Sequence, residues 1–219
     1  AAVQWGTHAR QRTVEATLAT LPAEIERSGL SAPVITVIGR VAALREEIAW
    51  FDRRPLFGRR ILVTRAQAQS AALATPLRAL GADVLELPAT RVEPMDAGVL
   101  EECLAEIDAY DWLVLTSQNA MDALWAALRR TRRDARALGS VKIAVIGPAT
   151  ADALLARGIA ADVLPERFVA EALLEKLAAR DDVRDARVLY VAAEGARDVL
   201  PRGLARLGAD VDMVHAFRS

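Results

Sequence analysis

LVLTSQNAMDAL, residues 113–124, is an apolar run that breaks on Thr116, Ser117, Gln118 and Asn119 and then resumes with apolar residues three and four apart. A short apolar run closed by small polar residues reads as a buried strand, and the spacing that follows it is that of an amphipathic helix. The handover uses four polar side chains, none of them an acid, a base or a metal ligand. Such a junction belongs to a parallel sheet whose strands are joined by crossover helices, provided the pattern recurs.

It recurs along the chain. Strands are expected at 34–38, 61–64, 83–87, 112–116, 142–146, 162–164, 187–191 and 210–214, and the opening AAVQW also reads as a strand. Helices are expected at 13–28, 41–51, 67–80, 98–108, 119–129, 149–157, 170–179 and 197–207. Four of them run into Gly29, Gly81, Gly158 and Gly208, as a left-handed C-terminal cap requires. The fold class is therefore α/β with mostly parallel strands. FDRRPLFGRR, residues 51–60, packs charge, Pro and Gly between a helix and a strand and reads as a linker. The segment before it is too short for an α/β domain of its own. TRVEPMDAG, residues 90–98, makes a second break, and MVHAFRS ends the chain as an extended piece.

Composition narrows the function classes. The chain has 219 residues, 53% of them apolar, with 28 basic against 29 acidic side chains and a net charge of −1. That balance provides no field to attract nucleic acid or an anionic membrane, and neither is expected as a partner. A lone Cys103 with two histidines, His8 and His215, leaves no disulfide framework and no metal cluster, and suits a reducing cytoplasm. No apolar run is long enough for a membrane span, and no leader is recognisable. A first residue other than Met suggests a fragment.

In an open parallel sheet, ligands bind outside the carboxyl ends of the strands, where loops enter helix N-termini. Four junctions here share that chemistry: ILVTRAQAQSAAL leaves through Thr64 and Arg65, LVLTSQNAMDAL through Thr116, Ser117 and Asn119, IAVIGPATADALL through Gly147, Pro148 and Thr150, and VLYVAAEGARDVLP through Glu194, Gly195 and Arg197. One anion at one helix N-terminus is stabilised by about 0.3–1 kcal/mol, or up to about 2 when partly buried, so several such termini suffice for a polycarboxylate. Ser, Thr and Asn are also the preferred caps, contributing about 1 kcal/mol each. Capping alone explains any single junction, and both readings stay open. No G-x-G-x-x-G, G-x-x-x-x-G-K-[ST] or G-x-S-x-G motif is present. RRTRRDAR, residues 129–136, reads as a solvated helix end, and Trp112 and Trp125 read as core.

From about residue 60 onward the chain resembles uroporphyrinogen-III synthases, through ILVTRAQAQSAALATPLRALGADVLELPATRVEP, DWLVLTSQNAMDAL, IAVIGPATADALLARGIAADVLPERFVAEALL and RVLYVAAEGARDVLPRGLARLGADVDMVHAFRS. These blocks follow the family's order and spacing. Residues 1–51 resemble the carboxyl end of S-adenosylmethionine-dependent uroporphyrinogen-III C-methyltransferases, through QWGTHARQRTV and PVITVIGRVAALREEIAWF. The two activities occur fused in some bacteria, on the route to sirohaem and cobalamin.

The resemblance implies a synthase of two flavodoxin-like lobes: a methyltransferase remnant at 1–51, a linker at 52–59, the first segment of lobe one at 60–95, lobe two at 96–213 and a returning linker at 214–219. The implied reaction closes linear hydroxymethylbilane to uroporphyrinogen III, with loss of water and inversion of the last pyrrole ring. It needs no cofactor, and the synthase part is implied to be monomeric. Carried over by position, Thr64, Arg65, Ser117, Asn119, Thr150 and the linker aromatic Phe217 are the implied catalytic positions, and Gln69, Thr116, Gly147, Glu171 and Arg197 the implied substrate contacts. Phe217 departs from the family, which often has Tyr there. Gly6 matches a position that contacts S-adenosylmethionine in the methyltransferases. Two other readings are weighed: the activity of the whole is C-methylation, or the lobe binds an anionic metabolite without turnover.

Overall fold

The structure, a computed structural model, describes residues 1–218 and divides into two compact units, Ala1–Arg91 and Val92–Ser219.

The first unit contains two small sheets. Strands β1 (Ala2–Gln4) and β2 (Arg12–Val14), helix α1 (Leu21–Ser28) and strand β3 (Val34–Thr36) form an antiparallel sheet of order β2-β1-β3, with Ala2, Leu21 and Leu30 at its core. The helix expected from residue 13 starts only at Leu21, because Pro22 lies in its first turn. Pro lacks the N–H donor and clashes with the preceding turn, so it begins a helix more readily than it continues one. The β-branched Thr13 and Val14 pair with β1 instead. The helix expected at 41–51 is a 3-10 turn, Arg40–Leu44, that runs into the single-turn helix α2 (Arg45–Ile48). Ile35, Ile38, Val41, Ile48 and Trp50 around it remain exposed.

Strands β4 (Arg60–Val63) and β5 (Asp83–Glu86) are parallel and joined by α3 (Gln67–Ala79). Val63, Ala74, Ala82 and Val84 pack between sheet and helix, while Leu62 and Leu85 on the opposite face are exposed. Residues 52–59, expected as a linker, pack against this unit: Leu56 N–H donates to Leu80 O at 3.0 Å, and the Phe51 and Phe57 rings meet edge to face. Gly81 is required there twice. Its φ is 95°, and a Cβ would lie 2.9 Å from Cβ of Arg54.

The second unit is a five-stranded sheet between two helical layers. Its elements are β6 (Glu93–Pro94), α4 (Gly98–Ala105), β7 (Trp112–Leu115), α5 (Gln118–Arg130), β8 (Lys142–Val145), α6 (Pro148–Leu155), α7 (Ala170–Ala178), β9 (Arg187–Ala193), α8 (Val199–Arg206) and β10 (Asp210–Arg218). The order is β6-β10-β9-β7-β8, parallel except for β6. Central strands are buried on both faces, which is why WLVL reads as a continuous apolar run. Leu113, Leu115, Ile143, Val145, Leu189 and Val191 meet α4, α5 and α6 on one face; Trp112, Val114, Ala144, Val188, Tyr190 and Ala192 meet α7 and α8 on the other.

Two expectations change here. The strand expected at 162–164 is one bridge, Val163 to Ala144. The linker expected at 214–219 is the end of β10 as far as Arg218, with Val214, Ala216 and Phe217 buried and Phe217–Arg218 paired to β6; Ser219 lies outside the described residues. Burying those apolar side chains keeps the strand in the sheet beyond the expected boundary, and the unit begins at Val92 rather than residue 96.

At the amino edge of the sheet, Asp182 accepts from Arg180 Nη2 at 2.9 Å and from Lys142 Nζ at 2.5 Å. The Arg180 hydrogen bond, then that of Lys142, holds its carboxyl well below the usual range. A carboxyl depressed in the folded state contributes stability that is complete above its unfolded pKa, about 3.9, and is lost as pH falls toward the folded value. Melting temperature is therefore expected to hold from pH 7 to 5 and to fall below about pH 4, with Asp182→Asn shrinking that decline. Calorimetry across this range checks it.

Candidate functional site

The carboxyl ends of β7 and β9 lie side by side, in register through Leu115 and Val191. From β7 the chain leaves to α5 on one face of the sheet, and from β9 it leaves to α8 on the other. Adjacent strands whose helices depart to opposite faces leave a crevice between their exit loops, which is where ligands sit in open α/β sheets.

The β7 wall starts with Thr116 and Ser117, both half-buried. Ser117 is extended and its Oγ accepts from Ala120 N–H at 3.2 Å, so the capping reading is realised at this junction. Asn119 is the second residue of α5 and is half-buried. Beside β7, Gly147 caps α6 with its backbone in extended form and Pro148 supplies the first helical residue, with no side-chain cap. The β9 wall is Glu194, Gly195 and Arg197, all exposed. Arg197 Nη1 reaches Glu171 at 3.3 Å, in the first turn of α7. Both side chains are largely solvated, so the pair is weak and the guanidinium free to reorient.

Thr150 and Phe217 are both buried. Thr150 is 4% exposed, one turn before the fully buried Leu154, and occupies the inward face of α6 instead of the crevice. Phe217 is 5% exposed and packs in the core on the α4–α5 face, so neither side chain presents itself to a ligand. In the first unit, Arg65 Nη2 donates to Gln69 Oε1 at 3.1 Å, and Thr64 O accepts from Ala89 N–H at 3.0 Å. Thr64 and Arg65 are exposed at the end of β4. Gly6 lies in the turn closed by His8 N–H to Trp5 O, and a Cβ there would meet only Val3 Cγ1 at an ordinary 3.6 Å.

One group escapes a reading of the sequence. Tyr190, 3% exposed within β9, lies in register with Val114 of β7; burial raises its pKa, partly offset by the Thr116 hydroxyl and the Arg197 charge. Its only sequence signal is a hydroxyl inside the apolar run VLYVAA.

An open cavity of about 320 Å³ lies at the other end of the sheet, lined by Glu102, Cys103, Glu106, Tyr110, Arg187 and Asp212 among others. Tyr110 donates to Asp212 at 2.7 Å, and Arg187 is paired with the same carboxylate. With three carboxylates to one guanidinium, this cavity disfavours anions. Among the described residues, no group of three or more His, Cys, Asp or Glu is placed to hold a metal ion, and no helix is long and apolar enough to cross a membrane.

Comparison with known proteins decides the family. The model of the family described as uroporphyrinogen-III synthase HemD matches residues 71–219. The chain belongs to the uroporphyrinogen-III synthase family. It is 34% identical over 201 residues to the porphyrin biosynthesis protein HemD of Ruminiclostridium josui, covering 91% of this chain and 40% of that protein. It is 38% identical over 168 residues to the uroporphyrinogen-III synthase of Synechococcus elongatus, covering 76% of this chain and 62% of that one. The chain thus spans less than two thirds of either relative. A crystal structure of a mutant uroporphyrinogen III synthase from Thermus thermophilus superposes with a TM-score of 0.53 at 18% identity, over 73% of this chain and 62% of that one, and supports the α/β fold. Thr64, Arg65 and Gln69 precede the residues the family model matches.

Proposed function

We propose that this protein acts in tetrapyrrole biosynthesis as a uroporphyrinogen-III synthase, closing hydroxymethylbilane to uroporphyrinogen III with loss of water and inversion of the terminal ring. The supporting observation is the crevice between β7 and β9. Helix N-termini and small hydroxyl and amide side chains meet there, without a dedicated acid–base pair. The bilane carries acetate and propionate arms, and main-chain N–H groups at helix N-termini suit carboxylates. Restraining the arms while the last ring turns lowers the barrier through orientation, and fixed dipoles stabilise charge developing as hydroxide leaves as water.

On this reading Thr116, Ser117, Asn119, Gly147 and Arg197 line the substrate site of the second unit; for the first unit, Thr64, Arg65 and Gln69 are the positions the family resemblance assigns to the reaction. Glu171 steers Arg197 rather than touching a carboxylate arm. The synthase reaction uses no cofactor, and the synthase part acts as a cytoplasmic monomer. Residues 1–51 we assign to the end of a C-methyltransferase, with Gly6 at a position of its S-adenosylmethionine site; the sequence blocks quoted above support this. Labelled methyl transfer to uroporphyrinogen III by the full-length protein tests that assignment.

For the synthase, the test is incubation of the full-length protein with freshly prepared hydroxymethylbilane and separation of the product isomers. Uroporphyrinogen III in excess over the type I isomer is expected. Type I alone, the outcome of unassisted closure, rules the activity out.

A further inference from the structure

We propose that Phe168 is a substrate-binding residue at the rim of the crevice, its exposed ring stacking on the face of one pyrrole of the bilane whose carboxylate arms lie on the neighbouring helix N-termini. The inference rests on the synthase reading and deepens it. Val163 is bridged in parallel to Ala144 of β8, so the chain leaves it at the same end of the sheet as β7, β8 and β9. It then turns into α7, whose first turn carries Glu171. Glu171 meets Arg197 of the β9 exit loop at 3.3 Å, which places the start of α7 beside the crevice. Phe168 precedes Glu171 by three residues, a reach of at most about 11 Å.

The residues that line the crevice supply no large apolar surface. Thr116, Ser117, Asn119, Gly147 and Gly195 offer hydroxyls, an amide and bare backbone. Among the aromatic side chains of the second unit, Tyr110, Trp112, Tyr190 and Phe217 are buried and Trp125 is half-buried, whereas Phe168 is 56% exposed. Val169 beside it is exposed as well. The other exposed large apolar residues of this unit lie elsewhere, Leu155 at the far end of α6 and Val99 on the cavity around Tyr110.

The loop carries this ring on a braced backbone. Phe168 is the central residue of a γ-turn closed by Val169 N–H donating to Arg167 O at 2.9 Å. Lys176 Nζ donates to Leu164 O at 3.0 Å and Arg167 Nη2 to Glu175 at 2.9 Å, so the approach to Phe168 is tied to α7 at two points. A pyrrole is flat and electron-rich, and offset stacking on a phenyl ring suits it. The two chemistries of the bilane then meet different partners: the charged arms meet main-chain N–H groups, and a ring face meets Phe168.

The test compares Phe168→Ala, Phe168→Leu and Phe168→Tyr in the full-length protein. Phe168→Ala is expected to raise KM for hydroxymethylbilane about five- to tenfold, with kcat within about twofold and the melting temperature unchanged. Below that KM more bilane stays unbound and closes unassisted, so the share of type I product rises. Phe168→Tyr keeps the ring and should hold KM within about twofold of the wild type. Phe168→Leu, apolar without a flat face, should behave as Phe168→Ala does, and decides the matter should the latter fail to fold. A Leu variant as good as the wild type overturns stacking, and a lower melting temperature with unchanged kinetics marks a packing role and overturns the proposal too. A wild type that makes type I product alone overturns the synthase reading and this inference together, whereas an active wild type beside an unaltered Phe168→Ala overturns this inference alone.

Discussion

Ser117→Asp is expected to leave the second unit as stable as before while raising KM for hydroxymethylbilane about 30- to 100-fold. Asp ranks with Ser as an N-cap, and its negative charge suits the helix N-terminus, so the Ala120 N–H keeps its acceptor and stability stays within about 0.5 kcal/mol. The same charge faces the substrate. Two unit charges about 4 Å apart at an effective dielectric near 20 repel by about 4 kcal/mol; discounting for the half-exposed position leaves about 2–3 kcal/mol, which is the stated change in affinity. Ser117→Asn retains the cap without the charge and is the control: its KM should stay near that of the wild type. Steady-state kinetics beside thermal melting separates the two effects, and a KM unchanged by the Asp substitution removes the carboxylate arms from this wall.

The largest loss of stability is expected from Trp112→Ala. Trp112 is 1% exposed, and its Nε1 donates to Asp182 O at 3.1 Å. The guanidinium of Arg180 lies 5.0 Å from the ring centre and the ammonium of Lys142 5.7 Å. Truncation removes the largest side chain of the core on that face and deprives a carbonyl of its donor, at a cost of about 3–5 kcal/mol. For a unit of this size that lowers the melting temperature on the order of 10–20 °C, and the Asp182 ion pairs should loosen with it. Denaturant titration followed by a second probe, such as far-ultraviolet circular dichroism, checks whether the unit still unfolds in one step.

The second unit is the most legible part of the chain. WLVL and the residues after Asn119 carry the strand and helix periods without interruption, and Gly158 and Gly208 mark helix ends where φ is indeed positive, at 80° and 96°. The first unit is less legible because Thr13 and Val14 also fit the helical spacing that continues to Ile25, and only the pairing with β1 tells strand from helix. The end of β10 is hidden because the polar His215 interrupts an apolar run, while the burial of Ala216 and Phe217 depends on α4 and α5, distant in sequence.

The site divides in the same way. Thr116, Ser117 and Gly147 stand at strand exits and are visible as such. The burial of Thr150 follows from the face α6 turns inward, and the placing of Tyr190 beside Val114 follows from the register of β9 on β7; neither is written in local sequence. Motif positions mark the loop, and packing decides which of their side chains reach the crevice.

The claim beneath all of this is that carboxylate arms settle on main-chain N–H groups at the carboxyl ends of β7, β8 and β9. Backbone amide shifts of the full-length protein, recorded by NMR during titration with uroporphyrinogen III under reducing conditions, test it most directly. The shifts that move first should belong to residues 117–120, 147–151 and 194–198. Saturable shifts confined to the cavity around Tyr110 and Asp212, with those three loops unmoved, would contradict the account.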